Sequence, residues 1–153
     1  TSNGDSAYAL ADGGTVAEND SVTACENIIG GSGADTLTGN DFDNVITGGA
    51  GADTMSGGTG NDTFLQGAAS DGSDTINGQG GEDTISYASR SATVTVTLNT
   101  STATTTNGAA SENDSLVNVE NVICGSGNDT VTGDSANNRI EAPLDLRPLL
   151  AVR

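Results

Sequence analysis

Residues 30–65 read GGSGADTLT, GNDFDNVIT, GGAGADTMS and GGTGNDTFL, four nine-residue units joined head to tail without a gap. After three extra residues the frame resumes as ASDGSDTIN (69–77) and GQGGEDTIS (78–86), and a late pair follows as CGSGNDTVT (124–132) and GDSANNRIE (133–141). The eighth column is apolar in every unit: Leu37, Ile46, Met55, Phe64, Ile76, Ile85, Val131 and Ile140. Ile28 and Val122, just ahead of each array, fall in the same column. The sixth column is acidic or Asn throughout: Asp35, Asn44, Asp53, Asp62, Asp74, Asp83, Asp129 and Asn138. Periodicity of this kind marks a repeat architecture rather than a disordered acidic tract.

Columns seven to nine make a short strand whose middle side chain points one way and whose neighbours point the other. The six residues before it form a turn, where glycines permit backbone conformations that a Cβ forbids and let the next coil approach closely. Strand and turn in alternation wind into a solenoid. With two units to a coil, residues 18 apart stack at about 4.8 Å. The expected fold is therefore all-β, a parallel β-roll or β-solenoid with a thin interior ladder from column eight. The same stacking sets Asp35 over Asp53 over Asp74 on one edge, and Asn44 over Asp62 over Asp83 on the other. Carboxylates this close repel by several kcal/mol at an intermediate effective dielectric, so a cation is required between them. Carboxylate and carbonyl oxygens without imidazole or thiolate form a hard donor set that favours calcium; magnesium, reluctant to give up its waters, fits less well.

Composition narrows the function from the other side. The chain has 153 residues and a formal charge of −17, with 21 acidic residues against four basic ones, all arginine. There is no lysine, histidine or tryptophan. Nothing can neutralise a run of phosphates, so a nucleic-acid binder is excluded. Catalytic triads and His-based zinc sites are excluded with the imidazole. Hydrophobic residues make up 33% and glycine fills 22 positions, which leaves little material for a large single core. No apolar run approaches the roughly 20 residues of a membrane span. Nothing near Thr1 reads as a cleavable signal peptide, and with no initiator Met the chain is expected to be a piece of something longer.

The units GGSGADTLT, GGAGADTMS and GGTGNDTF resemble the RTX nonapeptide GGxGxDxUx, a calcium-binding parallel β-helix repeat. SYASRSATVTVTLNT and SLVNVENVICGSGNDTVTG resemble the spacers between repeat blocks in large RTX proteins. The resemblance implies that the column-six side chain and the carbonyls of columns one and three bind calcium between adjacent turns. Carried over, this names Asp35, Asp53, Asp62, Asp74, Asp83 and Asp129, with carbonyls of Gly30, Ser32, Gly48, Ala50, Gly57 and Thr59. Asn44 and Asn138 lack the charge, Cys124 replaces a first glycine and Ala136 a fourth. A weak site is thus expected at Asn44–Asp62, and no more than one ion at 124–141. The resemblance also implies export from a Gram-negative bacterium by a type I secretion machinery, and a secreted or cell-surface location. The secretion signal it calls for is not evident in PLDLRPLLAVR.

A longer duplication overlies the nonapeptides. ENDS at 18–21 recurs at 112–115, EN at 26–27 recurs at 120–121, and GSGAD at 31–35 recurs as GSGND at 125–129, all offset by 94. Val94, Val96 and Leu98 alternate with Thr as a half-buried strand; the earlier equivalent around Tyr8 and Leu10 is shorter. The expected organisation is a strand or spacer remnant (1–20), a main β-roll block (21–86), a spacer with strand (87–114), a second block (115–141) and a non-repeat tail (142–153). Because 94 is not a multiple of nine, the spacer is expected to cap one coil or pack along its side. The tail reads as a loose end, a cap or foreign sequence. Cys25 and Cys124 form no metal-ligand spacing, which leaves open a disulfide or two unrelated thiols.

The reading is a calcium-binding module that folds on calcium after secretion, a structural or spacer part of an RTX-type exoprotein or adhesin. Two alternatives stand beside it. Outward pairs Thr36/Thr38, Thr54/Ser56, Thr84/Ser86 and Thr130/Thr132 resemble the ice-binding faces of solenoid antifreeze proteins. The chain could instead be the accessory domain of a secreted metalloprotease, lipase or alginate epimerase. The chain itself is expected not to be an enzyme; any surface or polysaccharide ligand would belong to the longer protein. Asp5, Asp12, Asp20, Asp41, Asp43, Asp134 and Asp145, off the column, read as solvated turn residues.

Overall fold

A computed structural model describes residues 8–10, 21–23, 26–69, 71–98, 103–107, 112–142 and 150–152. Every regular element among them is a strand, and no helix there could cross a membrane. One sheet holds, in spatial order, β1 (Tyr8–Leu10), β3 (Asn27–Ser32), β5 (Val45–Ala50), β7 (Thr63–Leu65), β9 (Thr84–Ser86), β13 (Asn121–Ile123) and β15 (Arg139–Glu141). The second begins with β2 (Ser21–Thr23), β4 (Thr36–Thr38), β6 (Thr54–Thr59) and β8 (Thr75–Gly80). It continues through β12 (Glu112–Val117), β11 (Ala103–Asn107), β10 (Val94–Thr97), β14 (Thr130–Thr132) and β16 (Leu150–Val152).

Within 27–86 each strand is followed by one in the opposite sheet, so two nonapeptides complete a coil. Register places Leu37 opposite Met55 and Met55 opposite Ile76 in one sheet. Ile46 lies opposite Phe64, and Phe64 opposite Ile85, in the other. All pairings there are parallel, and the column-eight side chains from Ile28 to Ile85 are buried between the sheets. Val122 and Val131 continue the buried row, with Ile140 half-buried at its end. From Ile28 to Ile85 the apolar core is one residue wide, as the column pattern requires. The extra residues 66–68 sit in a turn between β7 and β8, which lengthens the stacking interval from 18 to 21 at Asp53–Asp74 without changing register.

Several strands run beyond the expected three residues because columns one to three also pair. Gly31 lies opposite Gly49, Ser32 opposite Ala50, and Thr59 opposite Gly80. The cost is steric, as Gly51 shows at φ +140°: a Cβ there would run into the carbonyl of Gly33 one coil below. Gln79 takes a second-column glycine position and adopts φ 74°.

The spacer departs from both geometries expected of it. It neither caps a coil nor lies along its side. β10, β11 and β12 instead enter the second sheet as three consecutive strands: β12 runs parallel to β8, β11 antiparallel to its two neighbours, and β10 parallel to β14. Only that sheet takes up the surplus. In the first sheet β9 pairs directly with β13, Ile85 opposite Val122, so both repeat blocks share the same two sheets. Val94, Val96 and Leu98 point inward, as their alternation with Thr predicts.

The outward Thr pairs do not form one surface. Thr36/Thr38, Thr54/Ser56 and Thr130/Thr132 belong to the second sheet, with β10–β12 intervening before the last, whereas Thr84/Ser86 belongs to the first and Ser86 is buried. The tail contributes β16, parallel to β14. Cys124 is a buried free thiol, its pKa pushed up to about 11 by burial and by the nearby Asp129 charge. Cys25, Asp5, Asp12, Asp20 and Asp145 lie outside the described residues.

Candidate metal centre

The turns joining the two sheets stack along two edges, and the column-six side chains fall on them because each strand begins one residue later. On the first edge, the backbone N–H of Asp35 donates to Oδ1 of Asp53 at 2.9 Å, and that of Asp53 to Oδ1 of Asp74 at 3.0 Å. On the second, Asn44 N–H donates to Asp62 Oδ1 and Asp62 N–H to Asp83 Oδ1, both at 2.8 Å. Each carboxylate is thereby held in a ladder that crosses from coil to coil.

Those hydrogen bonds use one oxygen of each carboxylate. The other, Oδ2, is buried without a hydrogen-bond partner in Asp53, Asp62 and Asp83. A buried, unsatisfied carboxylate oxygen is costly, and the missing partner has to be a donor or a cation. The first-column glycines show which oxygens crowd together beside it. A Cβ on Gly57 would meet Asp62 Oδ2 and, at 2.8 Å, the carbonyl oxygen of Gly78 in the next coil. At Gly30 the same space faces Asp35 Oδ2 at 2.5 Å and the Gly48 carbonyl; at Gly48 it faces Asp53 Oδ2. The turns therefore form small oxygen-lined cradles, too crowded for any Cβ, so that only glycine fits there. Among the described residues no three acidic, His or Cys side chains surround one point, so carbonyls must supply much of any coordination shell. Oxygen donors of this kind fit calcium.

Electrostatics agree with the geometry. Burial is the main cause that raises the pKa of Asp53, Asp62 and Asp129 above the usual carboxylate range. Burial, with Asp114, Asp53 and Asp71 adding to it, lifts Asp74 to about 7, and burial with Asp62, Glu120 and Asp43 lifts Asp83 to about 6. Backbone N–H donors oppose the rise without cancelling it.

The third-column residues Ser32, Ala50 and Thr59 line the same turns; the Ala50 carbonyl accepts from Gly33 N–H at 2.6 Å. Asn44 behaves differently from the aspartates. Its amide donates to the Glu26 carbonyl at 3.2 Å and to Asn40 Oδ1 at 3.1 Å, while its own Oδ1 accepts from Asn40 N–H. Asn138 repeats this, with Nδ2 on the Glu120 carbonyl and Oδ1 accepting from Asp134 N–H. In these turns an amide supplies the donor that a carboxylate lacks. Asp129 is set apart from the main ladder, its Oδ1 accepting from Val94 N–H at 2.8 Å.

Two ladder members lie outside the nonapeptides. Asp114 extends the first edge by accepting from Asp74 N–H, and Glu120 extends the second by accepting from Asp83 N–H. The signal was present without the glycines: Asp114-Ser-Leu116 and Glu120-Asn-Val122 each set an acid two positions ahead of a buried apolar residue.

The model of the RTX calcium-binding nonapeptide repeat matches residues 29–64, 68–89 and 125–142, in four copies. The chain belongs to this family. Among curated proteins no match is found. RTX repeats bind calcium, and the ladders and cradles described above occupy the turns of those repeats.

Proposed function

We propose that this chain is a calcium-triggered folding and spacing module of a longer RTX-type exoprotein or adhesin. The observation that carries the proposal is the set of buried Oδ2 atoms on Asp53, Asp62 and Asp83, each without a hydrogen-bond partner. On the first edge the ligands would be Asp35, Asp53 and Asp74 with carbonyls of Gly30, Ser32, Gly48 and Ala50. On the second they would be Asp62 and Asp83 with carbonyls of Gly57 and Thr59, Asn44 contributing to a weaker site. Asp129 would serve a site of its own in the later block.

Calcium, when bound, would neutralise the stacked carboxylates and complete the turns. Without it, a net charge of −17 favours an expanded chain, which suits passage through a type I export channel. Extracellular calcium modules bind with dissociation constants of about 10⁻⁴–10⁻³ M, so folding would wait for calcium-rich surroundings outside the cell.

Far-UV circular dichroism during a calcium titration from a metal-free start, with magnesium as control, tests this. The expected result is a cooperative coil-to-β transition with calcium alone. A full β signal in EDTA would sink the folding switch.

A further inference from the structure

We propose that the turn between β12 and β13 completes one more cation site, built from Asp83, the main-chain carbonyl of Asn118 and Glu120, with two of its three donors outside the nonapeptide pattern. The proposal rests on the calcium reading above. Along the second edge each first-column glycine faces a carbonyl of the next coil: Gly39 that of Gly57, and Gly57 that of Gly78. At Gly78 the next coil is the turn between β12 and β13, which has no nonapeptide. The carbonyl oxygen that meets a Cβ on Gly78 is nevertheless present, and it comes from Asn118; Asp83 Oδ2 meets the same point. Asp83 is fully buried, and this Oδ2 has no hydrogen-bond partner.

Asn118 is placed for that task by its own backbone. It adopts φ 51°, a left-handed conformation that Asn tolerates better than most residues, and its amide is tied to Asn77 Oδ1 at 3.1 Å. Glu120 supplies the charge at the ladder position. Its Oε2 accepts from Asp83 N–H at 2.9 Å, as Asp83 Oδ1 accepts from Asp62 N–H at 2.8 Å. The turn from Asn118 to Glu120 has three residues where a nonapeptide turn has six, and the longer glutamate side chain spans the difference. The donor set, carboxylates and a carbonyl, selects a divalent hard cation of calcium's class.

Calcium stoichiometry by equilibrium dialysis on the full chain tests the site. Glu120→Gln keeps an acceptor for Asp83 N–H and removes the charge, and is expected to bind one ion fewer than the parent at a calcium level that saturates it. Asn118→Gly keeps both the carbonyl and the positive φ, and is expected to bind as many ions as the parent. A Glu120→Gln chain with unchanged stoichiometry and affinity overturns the site. A crystal structure of the parent grown with calcium decides the matter without any variant. A metal bonded to Asp83 Oδ2 and the Asn118 carbonyl carries the proposal, while metals in the repeat turns but none here defeat it. A parent that takes up no calcium defeats the underlying calcium reading as well, and that result differs from all the others.

Discussion

A column-six aspartate does two things with two oxygens, and the division explains which substitutions should matter. In Asp53, Oδ1 accepts from Asp35 N–H, the backbone N–H donates on to Asp74, and Oδ2 is left buried. Asp129 accepts the ladder bond from Val94 at the start of the later block, away from the stacked sites. Asp53→Asn is therefore expected to raise the calcium concentration at the folding midpoint more than Asp129→Asn does, because it weakens the sites above and below it. Calcium titrations followed by circular dichroism compare the two, and equal midpoints would contradict the assignment. Residue identity in the repeats was legible at this scale because period and chemistry coincide: an acid two positions ahead of an apolar residue falls on the turn edge. The amide closure at Asn44 was half legible. Its missing charge could be read, but not its bonds to Glu26 and Asn40, which depend on where neighbouring coils place their carbonyls.

At the scale of elements, the segment between β9 and β10 supplies side-chain partners to the end of the first edge. Tyr87 OH donates to Asp114 Oδ2 at 2.8 Å, and Arg90 Nη2 pairs with Asp71 Oδ1 at 2.5 Å while its guanidinium lies 5.4 Å from the Tyr87 ring centroid. The Arg90 side chain is 1% exposed and that of Asp71 13%. Removing one member of such a buried pair leaves the other uncompensated, typically at about 3–5 kcal/mol. Arg90→Met is thus expected to lower stability towards denaturant even at saturating calcium, and Asp71→Asn in the same chain to recover part of the loss. If Arg90→Met unfolds like the parent in calcium, the pair contributes nothing to this end of the edge. None of this was readable beforehand, since Arg90 and Asp71 are 19 positions apart and belong to no shared period. The same reason hid the insertion of β10–β12 into one sheet: Val94, Val96 and Leu98 announce a buried strand face, but hairpin register and the choice of neighbour are set by contacts between segments of unrelated sequence.

Across the whole molecule, the proposed calcium sites would set protons and cations in competition for the same carboxylates. Burial holds Asp74 at about 7 and Asp83 at about 6 in the folded chain, above the ordinary value of 3.8. A raised folded-state pKa means that the metal-free fold binds protons more tightly than the unfolded chain. The stability this contributes is fully present below about pH 3.8 and is lost as pH rises through 6 and 7. Asp53, Asp62 and Asp129 shift in the same direction. Acid also reduces a formal charge of −17, so self-repulsion and site ionisation act together. A chain freed of metal by dialysis is therefore expected to gain β signal on going from pH 8 to pH 4.5, with no calcium present. Where acid has folded the metal-free chain, calcium uptake should in turn expel protons from these carboxylates, more per ion at pH 6 than at pH 8, which calorimetry in buffers of different ionisation enthalpy measures directly. If the metal-free chain stays unstructured throughout, or folds in acid and then releases no protons on taking up calcium at pH 6, the buried carboxylates are not the groups whose charge decides folding.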